Sequence, residues 1–140
     1  MDKFKYDILL VEDNQDDILL TQLGLKESGI NAELTILNNG KLAIQYLQCL
    51  LKDGKQFPDL ILLDINLPIM NGFEALQEIK SIKEMKDIPI VIFTSSDSQT
   101  DMRYGYENGA DLYMRKPNNL NGFKRSMLQA IQLVKEKDFY

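Results

Sequence analysis

Residues 6–17 read Tyr6-Asp7-Ile8-Leu9-Leu10-Val11-Glu12-Asp13-Asn14-Gln15-Asp16-Asp17, an apolar run that stops at Glu12 and gives way to four carboxylates in six residues. An apolar run without polar alternation is what a strand buried on both faces of a parallel sheet looks like. A helix start follows it. Asn14 is an N-cap residue type, and Asp16 and Asp17 fall in a first turn, where the macrodipole favours anions.

Strand, acidic turn and helix thus form a first unit, and the unit recurs. Glu33 to Leu37, Asp59 to Leu63, Pro89 to Phe93 and Asp111 to Met114 read as further strands. Between them, apolar residues fall three and four apart, as on one face of a helix: Ile18, Leu19, Leu23; Ala43, Leu47, Leu50, Leu51; Phe73, Leu76, Ile79. A fourth helix, from about Ser98 to Asn108, has a thin apolar face, and a last one carries Phe123, Met127, Ala130, Ile131 and Val134. Gly29 and Gly109 stand where left-handed C-cap residues belong.

Asn39-Gly40, Asn71-Gly72, Asn108-Gly109 and Asn121-Gly122 have the composition of hairpin turns. None is flanked on both sides by period-two alternation, so all four read as helix boundaries. The predicted fold is α/β: a (βα)5 doubly wound parallel sheet in the order 2-1-3-4-5, with helices on both faces in three layers. Gly54 to Pro58, with Asp53 before it, reads as a loop.

The 140 residues, 44% hydrophobic and 26% charged, suit one domain with a single core that needs no disulfide. A lone cysteine, Cys49, agrees and points to a reducing compartment. Sixteen Lys and Arg against twenty-one Asp and Glu give a net charge of −5, which argues against direct DNA binding. The first apolar run is too short for a signal peptide or a membrane span, so a cytoplasmic protein is expected. Histidine is absent, which removes Ser-His-Asp and Cys-His nucleophiles and a phosphohistidine of the chain's own.

In a doubly wound sheet, ligands bind beyond the carboxyl ends of the strands, where the strand order reverses. There the first strand ends in Glu12-Asp13, the third in Asp64, the fourth in Thr94-Ser95-Ser96 and the fifth in Lys116-Pro117. Acids near helix starts are usually caps and a lone lysine is usually surface, so no single one of these residues decides anything. Together they do, because crowded carboxylates repel and burial makes the repulsion worse. Lys116 supplies one cation, and the remainder points to a divalent metal with oxygen-only ligands, which is Mg2+ chemistry. A phosphate-binding loop after the first strand would need glycines and backbone donors, and the acidic loop here excludes it. Neither a G-x-G-x-x-G nor a G-x-x-x-x-G-K-[ST] motif occurs, and no glycine stands at the sixth position an EF-hand requires.

These residues resemble the receiver domain of bacterial two-component response regulators, a flavodoxin-like fold. The resemblance rests on LLVEDN with Glu12-Asp13, LLDINLPIMNG with Asp64, Pro68 and Gly72, FTSS with Thr94, and GADLYMRKP with Tyr113, Lys116 and Pro117. It spans about Tyr6 to Lys137. Within that family the VEDNQDDILL opening and the long connection Asp53 to Pro58 resemble stand-alone regulators that include partners of cyanobacterial phytochromes. The expected organisation is a single receiver domain over 1–140, with no effector domain.

The resemblance implies that Asp64 is the phosphoacceptor and that Glu12, Asp13, Asp64 and the main-chain carbonyl of Asn66 hold Mg2+. It implies that Thr94 and Lys116 contact the phosphoryl oxygens and that the Lys116-Pro117 bond is cis, which proline permits at modest cost. The phosphodonor would be a phosphohistidine on a sensor histidine kinase, and the chain would catalyse only its own aspartyl phosphorylation and dephosphorylation. Asn66 and Ser96 would flank the path of the hydrolytic water. Thr94 would move toward the phosphoryl group and Tyr113 would follow it inward, a two-position switch. Complete switching requires about 5.5 kcal/mol of differential stabilisation.

The surface read by partners would be the fourth helix, fifth strand and fifth helix, around Met102, Tyr104 and Tyr106. It would serve a homodimer, a target protein or a histidine phosphotransfer protein. Two rivals remain. A phosphatase of the haloacid dehalogenase type needs an Asp where Asn66 stands, and a receiver that never turns over would not need Glu12, Asp13, Asp64, Thr94 and Lys116 together.

Overall fold

In the computed structural model, which describes residues 5–137, strand and helix alternate five times. The strands are β1 Tyr6–Val11, β2 Ala32–Leu37, β3 Leu60–Leu63, β4 Ile90–Thr94 and β5 Leu112–Arg115. The helices are α1 Gln15–Glu27, α2 Gly40–Lys52, α3 Gly72–Ser81, α4 Gln99–Glu107 and α5 Leu120–Lys137. All pairings are parallel and the order is β2-β1-β3-β4-β5, so both the α/β class and the strand order hold.

Successive strand residues point to opposite faces, and here both faces are covered. Leu9, Val11, Ile61, Leu63, Ile90 and Ile92 face Ala43, Ile44 and Leu47 of α2 and Ala75, Leu76 and Ile79 of α3. Ile8, Leu10, Leu60, Leu62, Val91 and Phe93 face Ile18 and Leu25 of α1 and Phe123, Met127 and Ile131 of α5. Two cores back to back explain why β1 and β3 show no polar alternation.

The Asn-Gly pairs are helix boundaries, as their flanks imply. Asn39 and Asn71 cap α2 and α3, Asn108 ends α4, and Asn121-Gly122 lies in the first turn of α5. Asn14 caps α1, its side-chain oxygen accepting the Asp17 N–H at 3.0 Å. Gly29 and Gly109 adopt φ of +77° and +100°. Gly72 is required for another reason: a Cβ there would lie 2.0 Å from the carbonyl oxygen of Asp64, so two stretches of main chain touch directly behind that residue.

Residues 82–88 form a compact connection that periodicity does not reveal. The Met85 N–H donates to the Ile82 carbonyl at 3.0 Å, and its side chain is fully buried in the α2–α3 core. A segment this short has no room to display a helical period.

Candidate functional site

β1 and β3 are neighbours, with Val11 beside Leu63, so Glu12 and Asp64 leave the sheet side by side. β4 and β5 pair through Thr94 and Arg115, which brings Lys116 to the same rim. The Lys116 N–H donates to the Thr94 carbonyl at 2.7 Å and fixes the root of the lysine. Its ammonium then meets three carboxylates: Glu12 Oε1 at 2.5 Å, Asp17 Oδ2 at 2.8 Å and Asp64 Oδ2 at 3.1 Å.

Main-chain donors hold the other oxygens of Asp64 and Glu12. Asp64 Oδ1 accepts the Ile65 N–H at 2.7 Å, and Glu12 Oε2 accepts the N–H groups of Asp13 and Asn14, each at 3.2 Å. The Lys116, Glu12 and Asp64 side chains are 6%, 2% and 8% exposed, so water does little to screen them. Burial pushes the Glu12 carboxyl up to about 7, with Lys116 opposing the shift and Asp64 adding to it. Burial alone would lower the Lys116 ammonium, but Asp17, Glu12 and Asp64 together raise it above its ordinary value.

Asp17 is the residue that local reading misses. In the first turn of α1 it is accounted for by the macrodipole, and its partner lies 99 residues away. The surplus of acids over cations in residues 12–17 is the one signal that pointed to it.

Asp13 is exposed at the mouth, and Glu12, Asp13 and Asp64 each offer an oxygen within 4.8 Å of the others. An all-carboxylate donor set at that spacing fits a hard divalent cation. Asn66 is exposed, two residues beyond Asp64. Thr94 is buried, and its hydroxyl accepts the Ser96 N–H at 3.4 Å.

One expectation needs correction. The Lys116-Pro117 bond is trans, since no cis peptide occurs among the described residues. Trans is the intrinsically preferred isomer by about 0.5 to 1 kcal/mol, and Lys116 makes its three ion pairs from it. Tyr113 stands beside β4, on the strand next to Thr94. Tyr113 is 7% exposed, its hydroxyl donates to the Ser96 carbonyl at 3.0 Å, and its main-chain N–H donates to the Tyr106 hydroxyl at 3.0 Å. Burial raises the pKa of that phenol and keeps it a donor.

Residues 8–134 match the family described as the response regulator receiver domain. Response regulator Rcp1 of Synechocystis sp. is 41% identical over 126 residues, covering 89% of this chain and 85% of Rcp1. The crystal structure of the Mn2+-bound form of Rcp1 superposes with a TM-score of 0.77 at 40% identity, covering 91% of each chain. That of the phosphorylated cyanobacterial phytochrome response regulator RcpA gives 0.75 at 36% identity, covering 96% of this chain and 91% of RcpA.

The chain belongs to the response regulator receiver domain family and is a two-component signal transduction protein. Its acidic cluster is of the kind that binds a divalent metal, and receiver domains interact with histidine kinases and downstream targets. Among the described residues no helix is long and apolar enough to cross a membrane.

Proposed function

We propose that Asp64 is the phosphoacceptor and that the chain takes its phosphoryl group from a phosphohistidine on a sensor histidine kinase. A carboxylate oxygen of Asp64 attacks phosphorus in line, the P–N bond breaks, and the imidazole leaves with the electron pair and takes up a proton. Such transfers need alignment and neutralised equatorial oxygens more than covalent help. Lys116 and the Thr94 hydroxyl serve two of those oxygens. Glu12, Asp13 and Asp64, with the main-chain carbonyl of Asn66, hold Mg2+, which when bound neutralises phosphoryl charge. Asn66 and Ser96, both uncharged, flank the approach of the hydrolytic water and set the lifetime of the acyl phosphate. The protein has no separate substrate, so it is not an enzyme in the turnover sense.

Tyr113 is read as a rotamer already in its inward position, which phosphorylation stabilises through Thr94 rather than creates. The output surface is α4, β5 and α5, for a target protein, a histidine phosphotransfer protein or a second copy. Met102, Tyr104 and Tyr106 are 40%, 41% and 45% exposed there. Two of the three are partly committed within the chain: the Tyr104 ring meets Phe73 edge-on at 4.7 Å, and the Tyr106 hydroxyl takes the Tyr113 N–H. The reading implies a cytoplasmic protein, where histidine kinases present their phosphohistidine.

The observation that carries the reading is the junction of Glu12 and Asp64 on a single buried ammonium at the point where strand order reverses. Intact mass after incubation with Mg2+ and a small phosphodonor tests it. The parent gains one phosphoryl mass and Asp64→Asn gains none; equal labelling of both rules Asp64 out.

A further inference from the structure

We propose that Asp17 is a positioning residue that holds the Lys116 ammonium in reserve and competes for it with the phosphoryl group on Asp64. The inference rests on Asp64 being the phosphoacceptor. An ammonium has three N–H donors; that of Lys116 hydrogen-bonds to Asp17 and Asp64 and is in ion-pair contact with Glu12, so three carboxylates crowd its three donors. A phosphoryl oxygen that needs Lys116 must therefore displace one of them.

The three are not equivalent. Glu12 is nearly fully buried and anchored through its second oxygen by two main-chain N–H groups. Asp64 is the residue being modified, and its Oδ1 is held by the Ile65 N–H. Among the described residues the Asp17 carboxylate hydrogen-bonds to Lys116, and its side chain is 25% exposed, so water can replace the lysine. It comes from the first turn of α1 rather than from a strand end, where the helix N-terminus also favours its charge once Lys116 has left. Asp17 is the contact released at least cost.

Its charge acts in the same direction. The Asp17 and Asp64 oxygens bond one nitrogen at 2.8 and 3.1 Å, so they lie no more than about 6 Å apart, within the range where like charges disfavour each other. A dianionic phosphoryl group on Asp64 meets that repulsion in addition to the competition. Asp17 thus sets the threshold for occupancy of Asp64 while touching neither phosphorus nor metal.

The test is a beryllofluoride titration at saturating Mg2+, read by 19F NMR, on the parent, Asp17→Asn, Asp17→Ser and Asp17→Glu. Both neutral variants bind about fivefold more tightly, the scale of one partly exposed ion pair, and Asp17→Glu returns to the parent value. Mn2+ affinity, measured by EPR without beryllofluoride, stays within about twofold of the parent. In metal-free protein, the 1H–15N signal of the Lys116 ammonium exchanges faster with water in both neutral variants than in the parent. Unchanged or weaker beryllofluoride binding in both neutral variants overturns the proposal. So does a parallel loss of Mn2+ affinity, which makes Asp17 part of the metal site. A parent that binds no beryllofluoride overturns the phosphoacceptor reading itself; unchanged ammonium exchange overturns the tether alone.

Discussion

Strand β5 has a lysine–carboxylate cluster at each end, and the two clusters are built oppositely. At its start Asp111 accepts from Lys137 at 2.7 Å and from the Ile90 N–H at 2.9 Å, with Lys80 at 4.0 Å. One carboxylate there has two ammoniums and a peptide donor, and Lys80 is further tied to the Lys86 carbonyl at 2.8 Å. Just past its end one ammonium, Lys116, faces three carboxylates. Lys80, 21% exposed, has its pKa lowered by burial, whereas that of Lys116 is raised by its acids. The first cluster is complete as it stands. The second holds more negative charge than its one cation balances, and that surplus, rather than the presence of ion pairs, distinguishes a binding site from a structural clasp.

Removing Lys116 breaks the comparison most severely. Lys116→Met leaves buried carboxylates without their cation, so metal-free stability by urea denaturation falls by about 3 kcal/mol. Saturating Mn2+ recovers most of the loss, which a purely structural lysine would not allow. The same replacement at Lys80 costs about 1 kcal/mol and shows no recovery.

Neutralising one acid at each end sharpens the contrast, because the effects have opposite sign. Asp64→Asn relieves repulsion in an overcharged cluster and raises metal-free stability by about 1 kcal/mol. Asp111→Asn removes the one carboxylate that lies between two ammoniums and lowers stability by about 1.5 kcal/mol. Equal signs in thermal melts would remove the distinction between the two ends.

The pH dependence is the subtler expression of the same imbalance. Folding raises the Glu12 carboxyl from 4.5 to about 7, so the folded metal-free protein binds its proton more tightly than the unfolded chain. The Glu12 contribution is therefore greatest below pH 4.5, declines as pH rises to 7 and is constant above it. Stability measured across that window in the parent and in Glu12→Gln isolates the slope, which the variant loses.

Much of this was legible before the fold was known, and the reasons are local. Continuous apolar runs disclosed β1 and β3 because both faces of the sheet are covered, and Asn14, Asn39 and Asn71 marked helix starts because capping is a contact between neighbours. Glu12, Asp13, Asp64 and Lys116 were legible because a parallel sheet gathers its strand ends at one rim. Asp17 was not, since a first-turn acid already has a sufficient local explanation and its ion pair spans the chain. The partner of the Tyr113 hydroxyl, the Ser96 carbonyl, is one that only packing supplies. Met85 was hidden for a third reason, a connection too short to carry a period.

The claim that Asp64 accepts phosphorus within a cluster held by Lys116 is tested most directly by locating the modification. An acyl phosphate reduced with borohydride becomes homoserine, and peptide sequencing by mass spectrometry then reports its position. The account predicts homoserine at position 64 alone, dependent on a divalent metal and lost in Lys116→Met. Homoserine at position 13 or 17, hydroxynorvaline at position 12, or labelling at position 64 that survives loss of Lys116 unchanged, would contradict it.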